Sequence, residues 1–469
     1  MNEIMKIVEG INGILWNYIL LILLIGVGVY LTIRLKFPQF SRVLPALKGM
    51  LSDIKNKKQC EKGTMTPFQS LATAIAAQVG TGNIVGVATA IASGGPGAAF
   101  WMILSAFFGM STIFGEAVLA QIYREVKHGK LVGGPAYYIK NGLKSKFLST
   151  FFAIVCIMAM GIIGIMVQSN SVVNSLHESF HLNMTVISVI LIVLVGAILS
   201  GGMNRIGAFT EKVVPFMALL YIVGALIIVI SHITALPTAI KMIFIGAFEP
   251  KAISGGVLGI GLKETIRFGL ARGLFSNEAG MGSTPHSHAV AKTNHPAEQG
   301  FIAMIGVFIA TFIICLSTVM INLTSGSYDY SISAAEMTKD ATLMTQIGFS
   351  TTFGKFGGGF LSIALTFFSL TTIVGWYFFA LSNVKLLCGK KRIISKSFKF
   401  IVLIFLGLGP IVEPDLIWLL ADMFMGLMAL PNIIAIIFLS NKIIYVLKDY
   451  DQCVKNGDIK WTYEYQKKE

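Results

Sequence analysis

Two of the long apolar stretches in this 469-residue chain are interrupted at mid-length by glycines and polar residues. Apolar runs reach or approach 20 residues, the length that carries a helix across a bilayer, near 12–35, 67–94, 97–122, 148–170, 184–202, 212–233, 261–293, 300–325, 357–388, 396–411 and 414–440. Eleven spans are therefore expected. The second contains Gln78-Val79-Gly80-Thr81-Gly82-Asn83, and the seventh Phe275-Ser276-Asn277-Glu278-Ala279-Gly280-Met281-Gly282. Paired glycines with polar neighbours weaken a helix. At membrane depth, irregular backbone is tolerated only where it lines a cavity or is buried in protein.

Composition supports spans over a soluble core. Hydrophobic residues make up 55% and charged residues 13%, against roughly 25% charged in soluble domains. That excludes a cytosolic enzyme, a disordered chain and a disulfide-stapled secreted domain. The five cysteines (Cys60, Cys156, Cys315, Cys388 and Cys453) lack metal-ligand or CxxC spacing and read as reduced thiols. The first run is too long, and its leading segment too acidic, for a signal peptide.

The net charge of +14 reads as orientation rather than as a nucleic-acid surface. Segments 36–66, 123–147, 203–212, 282–299, 389–399 and 441–469 hold 27 of the 37 Lys and Arg, while the opposite side holds five. The positive-inside rule then puts the N-terminus outside and the C-terminus in the cytoplasm of a multi-pass plasma-membrane protein, with the lipid bilayer as solvent.

The broken spans are the second and the seventh, five apart. An odd number of helices per repeat reverses the second copy in the membrane, so the spacing predicts a five-plus-five inverted repeat behind one extra N-terminal helix. The expected organisation is an N-terminal helix and basic cytoplasmic loop over 1–66, a first repeat over 67–233, a linker and second repeat over 234–440, and a cytoplasmic tail over 441–469. Segment 236–250 reads as an interfacial helix and 331–348 as an extracellular lid. Tyr137 and Tyr138, after Gly133-Gly134-Pro135, suit the membrane interface.

A helix that unwinds and restarts offers N–H groups and a positive dipole end to a small anion. The half before the break offers carbonyls to a hard cation. Thr81 and Asn83 add side-chain ligands, and Ser276 and Asn277 do so at the second break. A helix-packing face of small residues is the plainer account of the glycines. Glu278 can ligate a cation, carry a proton or pair with Arg272 to stabilise a gate. In span nine the Phe368 carbonyl and the Thr371 and Thr372 hydroxyls share one helix face, although threonines also bond back to their own helix. Trp376 lies a turn further on. Gln168 can meet the substrate's end groups or bridge two helices. Glu116 and Asp422 read as clamps between helices, and Asn322 as a possible second cation ligand. His286, His288, His295 and Glu298 are close in sequence but show no metal motif, and no P-loop, GxGxxG or GxSxG is present. Polar breaks would also serve a channel. An intramembrane enzyme would need a catalytic pair facing water, which the sequence does not offer.

Thr66-Pro67-Phe68-Gln69, Gly80-Thr81-Gly82-Asn83-Ile84, Gly133-Gly134-Pro135 and the run from Gly273 to Ser283 resemble the alanine or glycine:cation symporter family, over about residues 12–445. That family is similar in fold to the leucine-transporter (LeuT) group. The resemblance implies an all-α transporter, not an enzyme, taking up alanine, glycine or other small neutral amino acids with sodium or protons, and no cofactor beyond the coupling ion. It implies a substrate site of Thr81, Gly82, Asn83, Gln168, Phe275, Asn277 and Trp376. It implies a sodium site of Ala76, Val79, Phe368, Thr371 and Thr372.

Overall fold

The computed structural model describes residues 2–43, 64–127, 130–249, 261–329, 341–389, 392–457, 459 and 461. Cys60, most of the basic segment 36–66, the first ten residues of 331–348 and the end of the tail lie outside the described residues. The helices, in chain order, are α1 (Met5–Arg34), α2 (Pro38–Ser41), α3 (Pro67–Gln78), α4 (Gly82–Gly94), α5 (Ala98–Ile122), α6 (Pro135–Gly142), α7 (Lys146–Phe180), α8 (Met184–Leu199), α9 (Gly202–Ser231) and α10 (Ile233–Gly246). They continue with α11 (Leu262–Asn277), α12 (Pro285–Ala289), α13 (Pro296–Thr324), α14 (Ala341–Phe353), α15 (Lys355–Cys388), α16 (Ile393–Ile411), α17 (Pro414–Phe438) and α18 (Ser440–Asn456). A two-stranded hairpin, Glu125–Lys127 with Lys130–Val132, precedes α6.

Among the described residues, eight helices are long and apolar enough to cross a membrane, or nine if the bent pair α3–α4 is one span. Two of the eleven expected spans fall outside that number, each for a physical reason. The helices α8 and α11 are both 16 residues long, about 24 Å at 1.5 Å per residue, short of a hydrocarbon core of about 30 Å. α11 also carries Lys263, Glu264, Arg267 and Arg272.

The broken and central helices are enclosed by the others. α15 is buried along most of its length, from Gly357 to Val384, whereas α8, α9 and α16 keep large apolar side chains exposed, as lipid-facing helices do. The rim of α10 is mixed, with Ile240 and Phe244 exposed and Ala239 and Ile243 buried. The part of the expected lid that is described, 341–348, opens α14 and packs into the bundle through Ala341 and Met344, with the fully buried Phe349 just beyond it.

The tyrosines expected at the membrane interface are interior. Tyr138 is fully buried and hydrogen-bonded to Asn432 of α17, and Tyr137 is 4% exposed beneath Lys127. Gly134, at φ +121°, turns the chain into α6, and a Cβ there would strike the His286 ring. The glycine pair thus brings α6 against the segment after the second break instead of against lipid.

Helix approach sets a test. A Cβ at Gly97, just before α5, would overlap the Gly246 carbonyl and the Ala247 nitrogen, which are backbone atoms that cannot rotate away. Gly97→Ala should cost about 1–3 kcal/mol through overpacking. The check is a lowered midpoint of thermal unfolding in detergent relative to Gly10→Ala, where nothing lies within 4 Å.

Candidate functional site at the two helix breaks

Thr66 opens α3 with a capping box, its hydroxyl accepting from the Gln69 N–H at 3.0 Å while Gln69 Oε1 accepts from the Thr66 N–H, and Pro67 occupies the first turn. The helix ends at Gln78, where Val79 leaves helical geometry at φ −104°, ψ 89°. It resumes through a π-turn over Gly82–Gly86, bent by 53°. The interrupted backbone is satisfied by side chains, as burial demands. Asn83 Oδ1 accepts from the Gly80 N–H at 3.0 Å and Gln168 Oε1 from the Thr81 N–H at 3.2 Å. Thr318 of α13 donates to the Asn83 carbonyl at 2.7 Å, and Asn83 Nδ2 donates to Ser276 Oγ at 2.7 Å.

The second break is a sharp helix end. Glu278 adopts φ +57°, where an L-residue costs about 1–2 kcal/mol, and Gly280 and Gly282 follow at φ +91° and +81°. The Glu278 N–H bonds back to the Leu274 carbonyl at 2.8 Å. Asn277 Oδ1 accepts from the Ala279 N–H at 3.0 Å, and its backbone carbonyl accepts from Gln78 Nε2 at 2.7 Å. That last bond joins the two breaks. Glu116 Oε2 accepts from the Gly280 N–H at 3.1 Å, while Asn432 Nδ2 donates to Glu116 Oε1 and to the Gly280 carbonyl. Glu116 therefore ties α5, the second break and α17 together.

Residues named from sequence for an ion converge. Thr372 Oγ1 donates to the Ala76 carbonyl at 2.9 Å and lies 3.2 Å from the Val79 carbonyl. Thr371 bonds back to the Phe368 carbonyl at 2.8 Å. All five residues are buried. Four buried polar atoms nearby lack a hydrogen-bond partner: Gln78 Oε1, Thr81 Oγ1, Gln168 Nε2 and Ser369 Oγ, the last one turn before Thr372. Each keeps hydrogen-bonding capacity that a water or a polar ligand can meet.

Residues named for the substrate lie at the two breaks and on the helices that touch them. A Cβ at Gly82 would come within 2.6 Å of the Phe275 ring, so the glycine admits the aromatic wall. Phe275 meets Trp376 edge-on at 5.9 Å and Trp418 at 4.9 Å between ring centroids. The N–H groups expected to receive a carboxylate are held by Asn83 and Gln168, and the Asn277 carbonyl by Gln78.

Arg272 does not pair with Glu278. Its guanidinium forms a two-pronged bridge to Asp422 of α17, at 2.8 and 2.7 Å, and stacks 4.8 Å over Trp418. A carboxylate facing the fork of the guanidinium satisfies it better than one on the far side of the break. Glu278 instead accepts from Trp376 Nε1 and from Ser283 Oγ, each at 2.5 Å.

The histidines are structural. His286 sits between Phe152 and Phe379, and His288 Nδ1 accepts from Gln299 Nε2 at 2.6 Å and lies 3.3 Å from Ser70 Oγ. His295 caps α13 through Nδ1, which accepts from the Ala297 N–H at 3.1 Å, and its Nε2 meets Asp449 of α18 at 3.1 Å. His295, Asp449 and Cys453 have ligand atoms within 4.8 Å of one another. With Nδ1 accepting, however, a neutral ring carries its proton on Nε2, where a metal would have to bind. Burial pushes the His295 pKa down, against the opposing pull of Asp449. Asn322 is buried with neither side-chain polar atom hydrogen-bonded.

Gln78, Thr318, Trp418 and Asn432 belong to this network, as does Cys315, whose Sγ lies 3.3 Å from Asn83 Nδ2 and 2.8 Å from Ser276 Oγ, and no local motif marks them. Trp418 and Asp422 are four residues apart on one helix face, a spacing that was available. The others depend on contacts between helices far apart in sequence.

An all-helical bundle of membrane-length apolar helices, interrupted twice in its buried interior, is the architecture of a multi-span membrane transporter. In fold it matches the manganese transporter of Eremococcus coleocola, at a TM-score of 0.52 and 14% identity, covering 85% of this chain and 81% of that one. The chain belongs to the sodium:alanine symporter family, whose model matches residues 1–464. It is 37% identical to the sodium/alanine symporter AgcS of Methanococcus maripaludis, over 97% of this chain and 99% of that protein. It is 38% identical to the probable sodium/glutamine symporter GlnT of Bacillus subtilis, over 97% and 93%. The family performs amino-acid–cation symport, and its members are transporters rather than enzymes.

The Arg272–Asp422 bridge, with side chains 6% and 13% exposed, gives a test. Asp422→Ala leaves a buried guanidinium uncompensated and should destabilise by about 3–5 kcal/mol, while Arg272→Met with Asp422→Leu should recover most of it. Thermal unfolding of the three proteins in detergent measures both.

Proposed function

We propose that the chain imports small neutral amino acids, alanine or glycine, with sodium, by alternating access. The observation that carries this reading is Thr372 Oγ1 set against the Ala76 and Val79 carbonyls, three oxygens from two helices beside a break. A sodium ion takes these oxygens with the Phe368 carbonyl and the Thr371 hydroxyl, and the hydroxyl protons turn outward. The substrate carboxylate displaces Gln168 Oε1 from the Thr81 N–H. Rotation of the amide then brings the unpartnered Gln168 Nε2 to the same carboxylate. The ammonium meets the Asn277 carbonyl and the unpartnered Gln78 Oε1. Phe275 and Trp376 limit the side chain, which favours alanine or glycine over glutamine.

The arrangement that suits this cycle is the five-plus-five repeat of the leucine-transporter group, with eleven spans, repeats over 67–233 and 234–440, and α1 outside the core. In that arrangement the N-terminus faces outward and the basic segments face the cytoplasm of the plasma membrane. Each sodium moved inward then gains about 2.3 kcal/mol per 100 mV of membrane potential.

A proton-coupled reading draws support from Glu278, a buried carboxyl bonded to an indole and a hydroxyl rather than to a cation. Purified protein in proteoliposomes decides. Alanine uptake should rise with an inward sodium gradient and be insensitive to a proton gradient. Equal uptake with and without sodium defeats the sodium reading, and proton-driven uptake abolished by Glu278→Gln establishes the other. Thr372→Ala should raise the sodium concentration for half-maximal uptake about tenfold, equivalent to ~1.4 kcal/mol. An unchanged sodium requirement removes α15 from the ion site.

A further inference from the structure

Trp376 is the largest side chain among the proposed substrate contacts and is 1% exposed. Its ring meets that of Phe275 nearly at right angles, at 5.9 Å between centroids. The ring also faces Gly164 of α7, where a Cβ would come within 2.5 Å of Cζ3. The glycine leaves room for the ring but does not select its rotamer, and a helical tryptophan has more than one staggered position open to it. The indole N–H is a donor only, and its partner is Glu278 Oε1 at 2.5 Å.

Glu278 is itself held at its backbone and at its carboxylate. Its backbone sits at the left-handed helix end, φ +57°, with its N–H on the Leu274 carbonyl at 2.8 Å. Its second carboxylate oxygen accepts from Ser283 Oγ at 2.5 Å. Arg272, the cation nearest to it in sequence, is committed to Asp422. The carboxylate is thus a fixed acceptor placed by the second break and aimed at one ring.

We propose that Glu278 is a positioning residue that sets the size limit of the amino-acid site by fixing the Trp376 ring. This rests on the functional reading above. Glu278 does not touch the substrate in this account. It acts through the indole, and it links the backbone of the second break to the wall of the pocket. When the break moves during the cycle, the wall moves with it.

The test measures selectivity. Sodium-driven alanine uptake into proteoliposomes is competed by unlabelled alanine and by leucine, and the ratio of half-inhibitory concentrations is the readout. Excluding a larger apolar side chain is worth about 10–200-fold in such pockets. Glu278→Ala should lower the leucine-to-alanine ratio about tenfold, within that range. Glu278→Gln, whose amide oxygen still accepts the indole N–H, should keep the wild-type ratio. In a Trp376→Phe background, Glu278→Ala should shift the ratio no further, because the N–H is already gone. A wild-type ratio in Glu278→Ala, an equal shift in Glu278→Gln, or additive shifts in the double variant would each overturn the proposal. Should Glu278→Ala fail to fold, Glu278→Asp, which keeps the charge but shortens the reach, should lower the ratio, and an unchanged ratio overturns the proposal equally. Wild-type protein that takes up neither alanine nor glycine under a sodium gradient would bring down the functional reading and this role with it. Uptake with unaltered selectivity brings down only the role of Glu278.

Discussion

A peptide group inside a bilayer has no water to bond, so every interruption of a helix must be met by other protein groups or by a ligand. This chain interrupts two buried helices, and the rest of the interior is arranged around that cost. Asn83 and Gln168 close the first break, Asn277 and Glu116 close the second, and Gln78 joins the two. None of these bonds comes from the helix whose backbone is opened except those of Asn83 and Asn277. The breaks therefore dictate where α5, α7, α13 and α17 must lie. They also explain why polar residues, rare along the chain, are concentrated where the apolar helices are most enclosed.

In the proposed cycle the same bonds are exchanged. A side-chain amide holding a backbone N–H gives way to the substrate carboxylate, and a hydroxyl set against two carbonyls gives way to the cation. Unpartnered Thr81 Oγ1, Gln168 Nε2 and Gln78 Oε1 lie beside bonds that can be traded. A transporter needs its site to be stable both filled and empty. A site built from neutral donors and acceptors meets that need better than one built from fixed charges, which would be left unpaired in a low-dielectric interior when the ligand departs. The one buried ion pair described between spans, Arg272 with Asp422, keeps its charges on each other and stacks beside the pocket against Trp418.

How much of this was legible in the chain follows from where each signal resides. The spans and breaks are written in local runs, so hydropathy and paired glycines located them, and the grouping of Ala76, Val79, Phe368, Thr371 and Thr372 followed the motif resemblance and helix periodicity. Partner choice is a different matter. Arg272 has two acids within reach of a sequence argument, Glu278 on its own segment and Asp422 150 residues away, and only packing decides between them. Tyr137 and Tyr138 look like interface anchors because the adjacent segment is basic, yet Gly134 turns them inward. The short helices α8 and α11 show a further limit. Hydropathy windows extend across residues that the backbone spends on turns, so a run of apolar residues overstates the length of the helix.

Glu278 brings these points together. Its left-handed backbone is a cost that an ordinary helix end would avoid by placing glycine there. Glycines follow at 280 and 282, so the chain has that option within two residues. Placing glutamate at the strained position instead puts a carboxylate where both oxygens are engaged, one by the pocket's largest aromatic and one by the next turn of chain. The strain is local, and what it secures is a contact between helices. A side chain fixed at a break reports the position of that break to whatever it touches, which here is a wall of the proposed substrate site. In the proposed role of Glu278, the geometry of the second break and the shape of the substrate site are one variable rather than two.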